Sequence, residues 1–140
     1  MGIDLIKKFE NFSPSRYLCP AKFWTIGWGH EILPGEKFDE PISEEVGLDI
    51  LHRDLLIAER SVCRLISVPL EDWQYDALVS WTFNLGGRRL QISTMRKRVN
   101  EQAHGQVPPE MRRWIYAGTK SLSGLIKRRR AEAALYTGVM

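Results

Sequence analysis

The sequence predicts an α+β fold: a short N-terminal helix, a small antiparallel sheet, a long connecting helix and a helical C-terminal half. Three observations carry that reading. Residues 15–38 gather strand formers and glycines, whereas the chain after Ser43 spaces its apolar residues as a helix does. Proline and glycine punctuate the second half at Val68-Pro69, Gly86-Gly87 and Pro108-Pro109. The 140 residues, 44% hydrophobic and 26% charged, suit one globular domain that buries a core without disulfide staples. The expected domain spans 1–140, with a β lobe at about 13–40 and a helical lobe at about 68–140.

The elements follow in order. Ile3, Leu5, Ile6 and Phe9 lie near helical spacing and predict a short amphipathic helix over 3–11, with Pro14 beyond it as a breaker. Tyr17, Phe23, Trp24, Thr25, Ile26 and Trp28, interrupted by Gly27, Gly29 and Gly35, read as a hairpin or three short strands. Ser43 is placed to cap a helix that begins with Glu44 and Glu45 and runs to about Ile66. Residues 70–84 form the next helix, ended by Gly86-Gly87. Ser93 or Thr94 starts a basic helix to about Gln102. Pro108-Pro109 opens another through Ala117, closed by Gly118. Ser123 caps a last helix, Gly124–Tyr136. Trp73, Trp81 and Trp114 fall at helical spacing and are expected in the core.

Net charge is +3. A mildly basic surface suits polyanionic partners in general, nucleic acid, anionic lipid or cell wall among them. Cations cluster at Arg88–Arg89, Arg96–Arg98, Arg112–Arg113 and Lys127–Arg130, where solvated helix faces are the plain reading. They are dispersed over several helices, and no helix-turn-helix, zinc-finger or RNA-binding signature accompanies them, so nucleic acid is not expected. Cys19 and Cys63 are too few for a disulfide framework, though a single bridge stays open. No histidine or cysteine has metal-ligand spacing; His52 and His104 read as surface residues, and neither metal nor cofactor is expected. No apolar run approaches the roughly 18 residues of a membrane span, and the N-terminus lacks a signal-peptide core.

Two segments carry candidate chemistry. Glu10 follows an apolar helix and precedes a turn. A helix C-terminus disfavours a negative charge, and Phe9 and Phe12 add desolvation. Both effects favour the protonated acid, the form a general acid needs. In Trp24-Thr25-Ile26-Gly27-Trp28-Gly29-His30, strand alternation puts Thr25, Gly27 and Gly29 on one face and Trp24, Ile26 and Trp28 on the other. The glycines either open that face to a substrate or mark bulges in a buried hairpin.

Together with Leu5–Glu10, Tyr17-Leu18-Cys19-Pro20, Val68-Pro69-Leu70, Gln74–Ser80, Phe83–Gly86, Trp114–Gly118 and Gly124–Glu132, that segment resembles the phage-type lysozymes, glycoside hydrolase family twenty-four. The ordered motifs span nearly the whole chain. The resemblance implies a lysozyme-like fold with a cleft between its lobes. It implies hydrolysis of the β-1,4 bond between N-acetylmuramic acid and N-acetylglucosamine in peptidoglycan. It also implies a monomeric endolysin that stays in the host cytoplasm, without stable membrane insertion, until another protein opens the membrane.

The family places a Glu after the first helix, usually an Asp nine residues later and a Thr six beyond that. Those positions are Glu10, Cys19 and Thr25 here. Cys19 departs from the usual Asp, and a thiol is a poor carboxylate substitute unless basic neighbours draw off its proton. The expectation is that Glu10 is the proton donor and that Thr25, with Cys19, holds the attacking water, giving inversion. A nucleophilic Cys19 would give retention. Phe83, Asn84, Gly27 and Trp28 are expected to meet substrate, with Phe83 on a sugar face and Asn84 bonding an acetamido group. His30 is expected to be structural, pairing with an acid and closing the hairpin. Lys127–Arg130 could supply a cation that meets Glu10 or the carboxylates of the cell wall, the sequence does not single out which, and a plain solvated face stands equally open. A binding module without catalysis and a lytic transglycosylase are the rivals. The transglycosylase would close an anhydro-sugar without consuming water.

Overall fold

The computed structural model describes residues 2–117 and 119–138. Helix α1, Gly2–Glu10, buries Leu5 and Ile6 on one face. It stops at Asn11, whose φ of 54° is left-handed, before Pro14 is reached. Pro14 instead lies in strand β1, Ser13–Leu18, which pairs antiparallel with β2, Trp24–Gly27. Strand β3, His30–Glu31, pairs with the other edge of β2. The sheet order is therefore β1-β2-β3, the three-strand form of the expectation.

Helix α2, Glu44–Leu65, starts where expected: Ser43 Oγ accepts from the Val46 N–H at 3.2 Å. It leaves the sheet and enters the helical lobe, burying Ile50, Leu51, Ala58, Val62 and Leu65 along the way. Gly47 in its first turn is required by packing. A Cβ there would lie 2.6 Å from the Phe12 ring, with Trp28 close behind.

Helix α3, Asp72–Leu85, is the centre of the helical lobe, with Ala77 to Thr82 all buried. It packs against α1, α2 and α7, Ser123–Tyr136. The core joins Leu5, Val62, Leu78, Trp81, Leu90, Met95, Val99, Met111, Leu135 and Tyr136. The layout is the lysozyme-like α+β arrangement: a small antiparallel sheet beside a helical lobe, joined by one long helix.

Several local expectations are corrected. Gly86, with φ 95°, ends α3, but Gly87–Ile92 forms a further helix, α4. Its single buried residue, Leu90, is too little for a periodic signal. Helix α5 is Thr94–Asn100, capped by Ser93, and Gln102 leaves it with φ 57°. The helix expected over Pro108–Ala117 is only α6, Val107–Met111, preceded by a 3-10 turn at His104–Gln106. Tyr116–Ala117 is instead strand β4, paired with β5, Lys120–Ser121. Trp114 explains the break, because it packs edge-on to Trp81 at 5.4 Å and Ile115 and Tyr116 are strand formers. The expected close at Gly118 lies outside the described residues.

Helix α7 is preceded by Leu122 with no side-chain cap, so Ser123 is its first residue and not its cap. Trp73 is 38% exposed and stands outside the core, unlike Trp81 and the partly buried Trp114. His104 is part-buried and bonds the Tyr136 hydroxyl at 2.7 Å. No helix among the described residues is long and apolar enough to cross a membrane.

Candidate active site

Glu10 is the last residue of α1, and its side chain is 17% exposed. Its Oε2 accepts from Arg128 Nη1 of α7 at 2.5 Å. Its Oε1 faces Gly29: a Cβ at Gly29 would lie 2.5 Å from it. Gly29 has φ +70°, a left-handed backbone that favours glycine. The β2–β3 turn can approach the carboxyl this closely only because position 29 lacks a side chain.

Of the two readings of these glycines, an open strand face or a buried hairpin, the geometry is nearer the buried one. β2 ends at Gly27, whose φ is +64°, and Trp28-Gly29 forms the turn to β3. Gly27 is buried against Ile42 and Gly47, so it offers a ligand no surface, contrary to expectation. Trp28 is half-buried. It rests on Phe12 with ring centroids 4.7 Å apart, and Lys7 Nζ lies 4.8 Å from its ring centroid. Thr25 is buried, and its hydroxyl donates to the Phe23 carbonyl at 3.0 Å. The Cys19 N–H donates to that same carbonyl at 3.0 Å, so one acceptor ties positions 19 and 25 together. Thr25 Oγ keeps lone pairs able to accept a hydrogen bond.

Tyr17 stands opposite Thr25 in the sheet. Burial first, then the nearby Glu10 and Cys19, push its phenol above the usual range. Tyr17 therefore shares one microenvironment with both candidates, a neighbour that the motif contained but chemistry did not single out. Cys19 is partly exposed, and both thiols are free, so the open possibility of a bridge is resolved in favour of two unpaired cysteines.

On the helical side, Arg128 is the cation that meets Glu10, with Arg128 and Arg129 buried and Lys127 and Arg130 exposed. The solvated-face reading of this cluster is thus wrong for its two central residues. Arg129 Nη2 donates to Asn84 Oδ1, leaving the Asn84 amide nitrogen as the group able to donate to a ligand. Burial pushes Arg129 down to about 10, against the pull of Glu132, so it stays cationic at neutral pH. Phe83 is partly buried against the core. Two surface grooves lie elsewhere, one beside Arg16, Trp24 and Phe38 and the other beside Ile92, Arg96 and Asn100.

His30 is buried at the end of the sheet. Its Nδ1 lies 2.7 Å from Asp54 Oδ2 on α2, and its Nε2 lies 2.9 Å from Glu36 Oε1. The Asp54 hydrogen bond raises its proton affinity above the ordinary value, burial opposes this, and Glu36 adds to it. Among the described residues no group of three His, Cys, Asp or Glu is placed to hold a metal ion.

A carboxyl thus sits where the small sheet meets the helical lobe, with a buried guanidinium against it. The chain belongs to the phage lysozyme family, whose profile matches residues 7–132. It is 34% identical over 139 residues to the endolysin of Acyrthosiphon pisum secondary endosymbiont phage 1, covering 96% of this chain and 94% of that one. It also aligns with a longer endolysin of Bacillus phage B103, of which it spans 52%. Among solved structures, an endolysin from Escherichia coli O157:H7 phage FAHEc1 superposes with a TM-score of 0.88 at 32% identity, over 99% of this chain and 92% of the other. The muramidase domain of SpmX from Asticaccaulis excentricus gives a TM-score of 0.85 at 32% identity, over 96% and 93%. Family and fold together make the chain a peptidoglycan-lytic glycoside hydrolase of the endolysin class.

Proposed function

We propose that this single domain hydrolyses the β-1,4 bond between N-acetylmuramic acid and N-acetylglucosamine, with Glu10 as general acid and inversion at the anomeric carbon. The observation that carries this reading is the Glu10 carboxyl, its Oε2 held by Arg128 and its Oε1 lying against the side-chain-free Gly29. In this reading the proton sits on Oε1 and passes to the leaving glycosidic oxygen. Negative charge then develops on Glu10, and Arg128 is already in place to stabilise it, with no reorganisation at the moment of reaction. Thr25 Oγ accepts a hydrogen bond from the attacking water, and Cys19 borders the same spot. As the water oxygen bonds the anomeric carbon and the glycosidic C–O bond breaks, the water's proton passes to solvent, from which Glu10 is reprotonated. Asn84 donates to an acetamido carbonyl, and Phe83 packs on a sugar ring. The enzyme acts as a monomer on the wall, after release from the host cytoplasm.

Turbidity clearing of permeabilised Gram-negative cells tests the assignment. Wild type should clear them, and Glu10→Gln should be slower by about 10² or more. Equal clearing by both would discard it. Mass spectrometry of the released muropeptides should show products carrying one added water; anhydro-sugars would mean a transglycosylase. NMR of the first anomer formed should show the α product, and initial β product would replace inversion by retention through Cys19.

A further inference from the structure

The carboxylate of Glu132 is fully buried in α7, and the acid chemistry proposed for Glu10 does not use it. Its Oε2 accepts from Ser80 Oγ at 2.6 Å and from Arg128 Nε at 3.2 Å. Its Oε1 lies 3.2 Å from Arg129 Nε, at ion-pair range without hydrogen-bond alignment. Each arginine then reaches outward to a different part of the candidate site. Arg128 Nη1 meets Glu10 and its Nη2 donates to the Ser80 carbonyl at 3.2 Å, while Arg129 Nη2 meets Asn84.

We infer that Glu132 is a positioning residue that aims both guanidiniums, Arg128 at the catalytic acid and Arg129 at the ligand-binding amide. The inference rests on the role proposed for Glu10. Two adjacent buried guanidiniums repel each other, and a carboxylate between them removes that repulsion while fixing their direction. With Glu10, the cluster holds two cations and two anions. Ser80 completes the arrangement from α3: its hydroxyl orients the carboxylate and its carbonyl holds the far side of Arg128. The helix spacing makes this geometry available, since Arg128 and Arg129 stand four and three residues before Glu132.

The test compares Glu132→Gln, Glu132→Asp and Ser80→Ala with wild type and Glu10→Gln. Initial rates are measured on soluble uncrosslinked peptidoglycan chains across pH, with thermal unfolding in parallel. Glu132→Gln adds a net positive charge beside Glu10, which favours the ionised acid. Its alkaline activity limb should therefore move to lower pH, and kcat should fall roughly ten- to a hundredfold as Arg128 loses its aim. Glu132→Asp keeps the charge and should keep the limb. If Glu132→Gln does not fold, Ser80→Ala decides: a several-fold fall in kcat at wild-type fold supports the inference, and an unchanged kcat overturns it. A folded Glu132→Gln with wild-type pH profile and kcat also overturns it. Full activity of Glu10→Gln would instead sink the Glu10 reading, so the two failures are distinguishable.

Discussion

One methyl group at position 29 would occupy space that the Glu10 carboxyl fills. Gly29→Ala should cost about 1–3 kcal/mol of stability through its left-handed backbone. On the role proposed for Glu10, activity should fall by roughly 10², because a small displacement of a reacting group carries that penalty. Chemical denaturation and the clearing assay measure the two separately. At position 19 the outcome should follow charge. Cys19→Asp should retain or raise activity, since a carboxylate there can take a proton from water, whereas Cys19→Ser should lower it. An unchanged rate in Cys19→Ser would remove position 19 from the water site. Of the proposed site, the ordered motifs single out Glu10, Cys19 and Thr25 as candidates, and that much is legible. Arg128 is not, because Lys127–Arg130 offers four consecutive cations with no local difference between them. The usable signal was Glu132, a lone acid one turn after Arg128, where a buried pair was worth suspecting.

At the scale of elements, legibility tracks periodic apolar content. Helices α2 and α3 carry several buried side chains each and announce themselves; α4 rests on Leu90 alone. Leu90 is nonetheless fully buried in the main core, so Leu90→Ala should destabilise the chain by about 2–4 kcal/mol, measured by urea unfolding. The β4–β5 hairpin was hidden for a different reason. Pro108-Pro109 reads correctly as a helix start, but the tertiary demand of Trp114 against Trp81 ends that helix within two turns. The position of the β2–β3 turn is not legible, because a glycine in a strand pattern looks like alternation until its positive φ is known.

Across the whole molecule, His30 ties the sheet to α2 and to the 32–38 loop through two carboxylates. Its raised proton affinity means that this stabilisation is fully present below its ordinary value near 6.5 and is lost as pH rises through the raised value. For Glu36, burial pushes upward, but the Leu33 N–H and His30 draw its proton affinity below the carboxylate range. Its contribution is present above about pH 4.5 and is lost as pH falls through the lowered value. The clamp is therefore complete between about pH 4.5 and 6.5. His30→Asn should lower stability by roughly 1–3 kcal/mol within that window. Thermal unfolding across pH should show the gap between the two proteins narrowing at alkaline pH.

Glu10 and its cation stand 118 residues apart in the chain. Until α7 has docked against α3, the carboxyl at the end of α1 is without the guanidinium that meets it in the folded chain. In the reading proposed above, catalytic competence is therefore gained late in folding and belongs to the assembled domain, not to the segment that carries the acid.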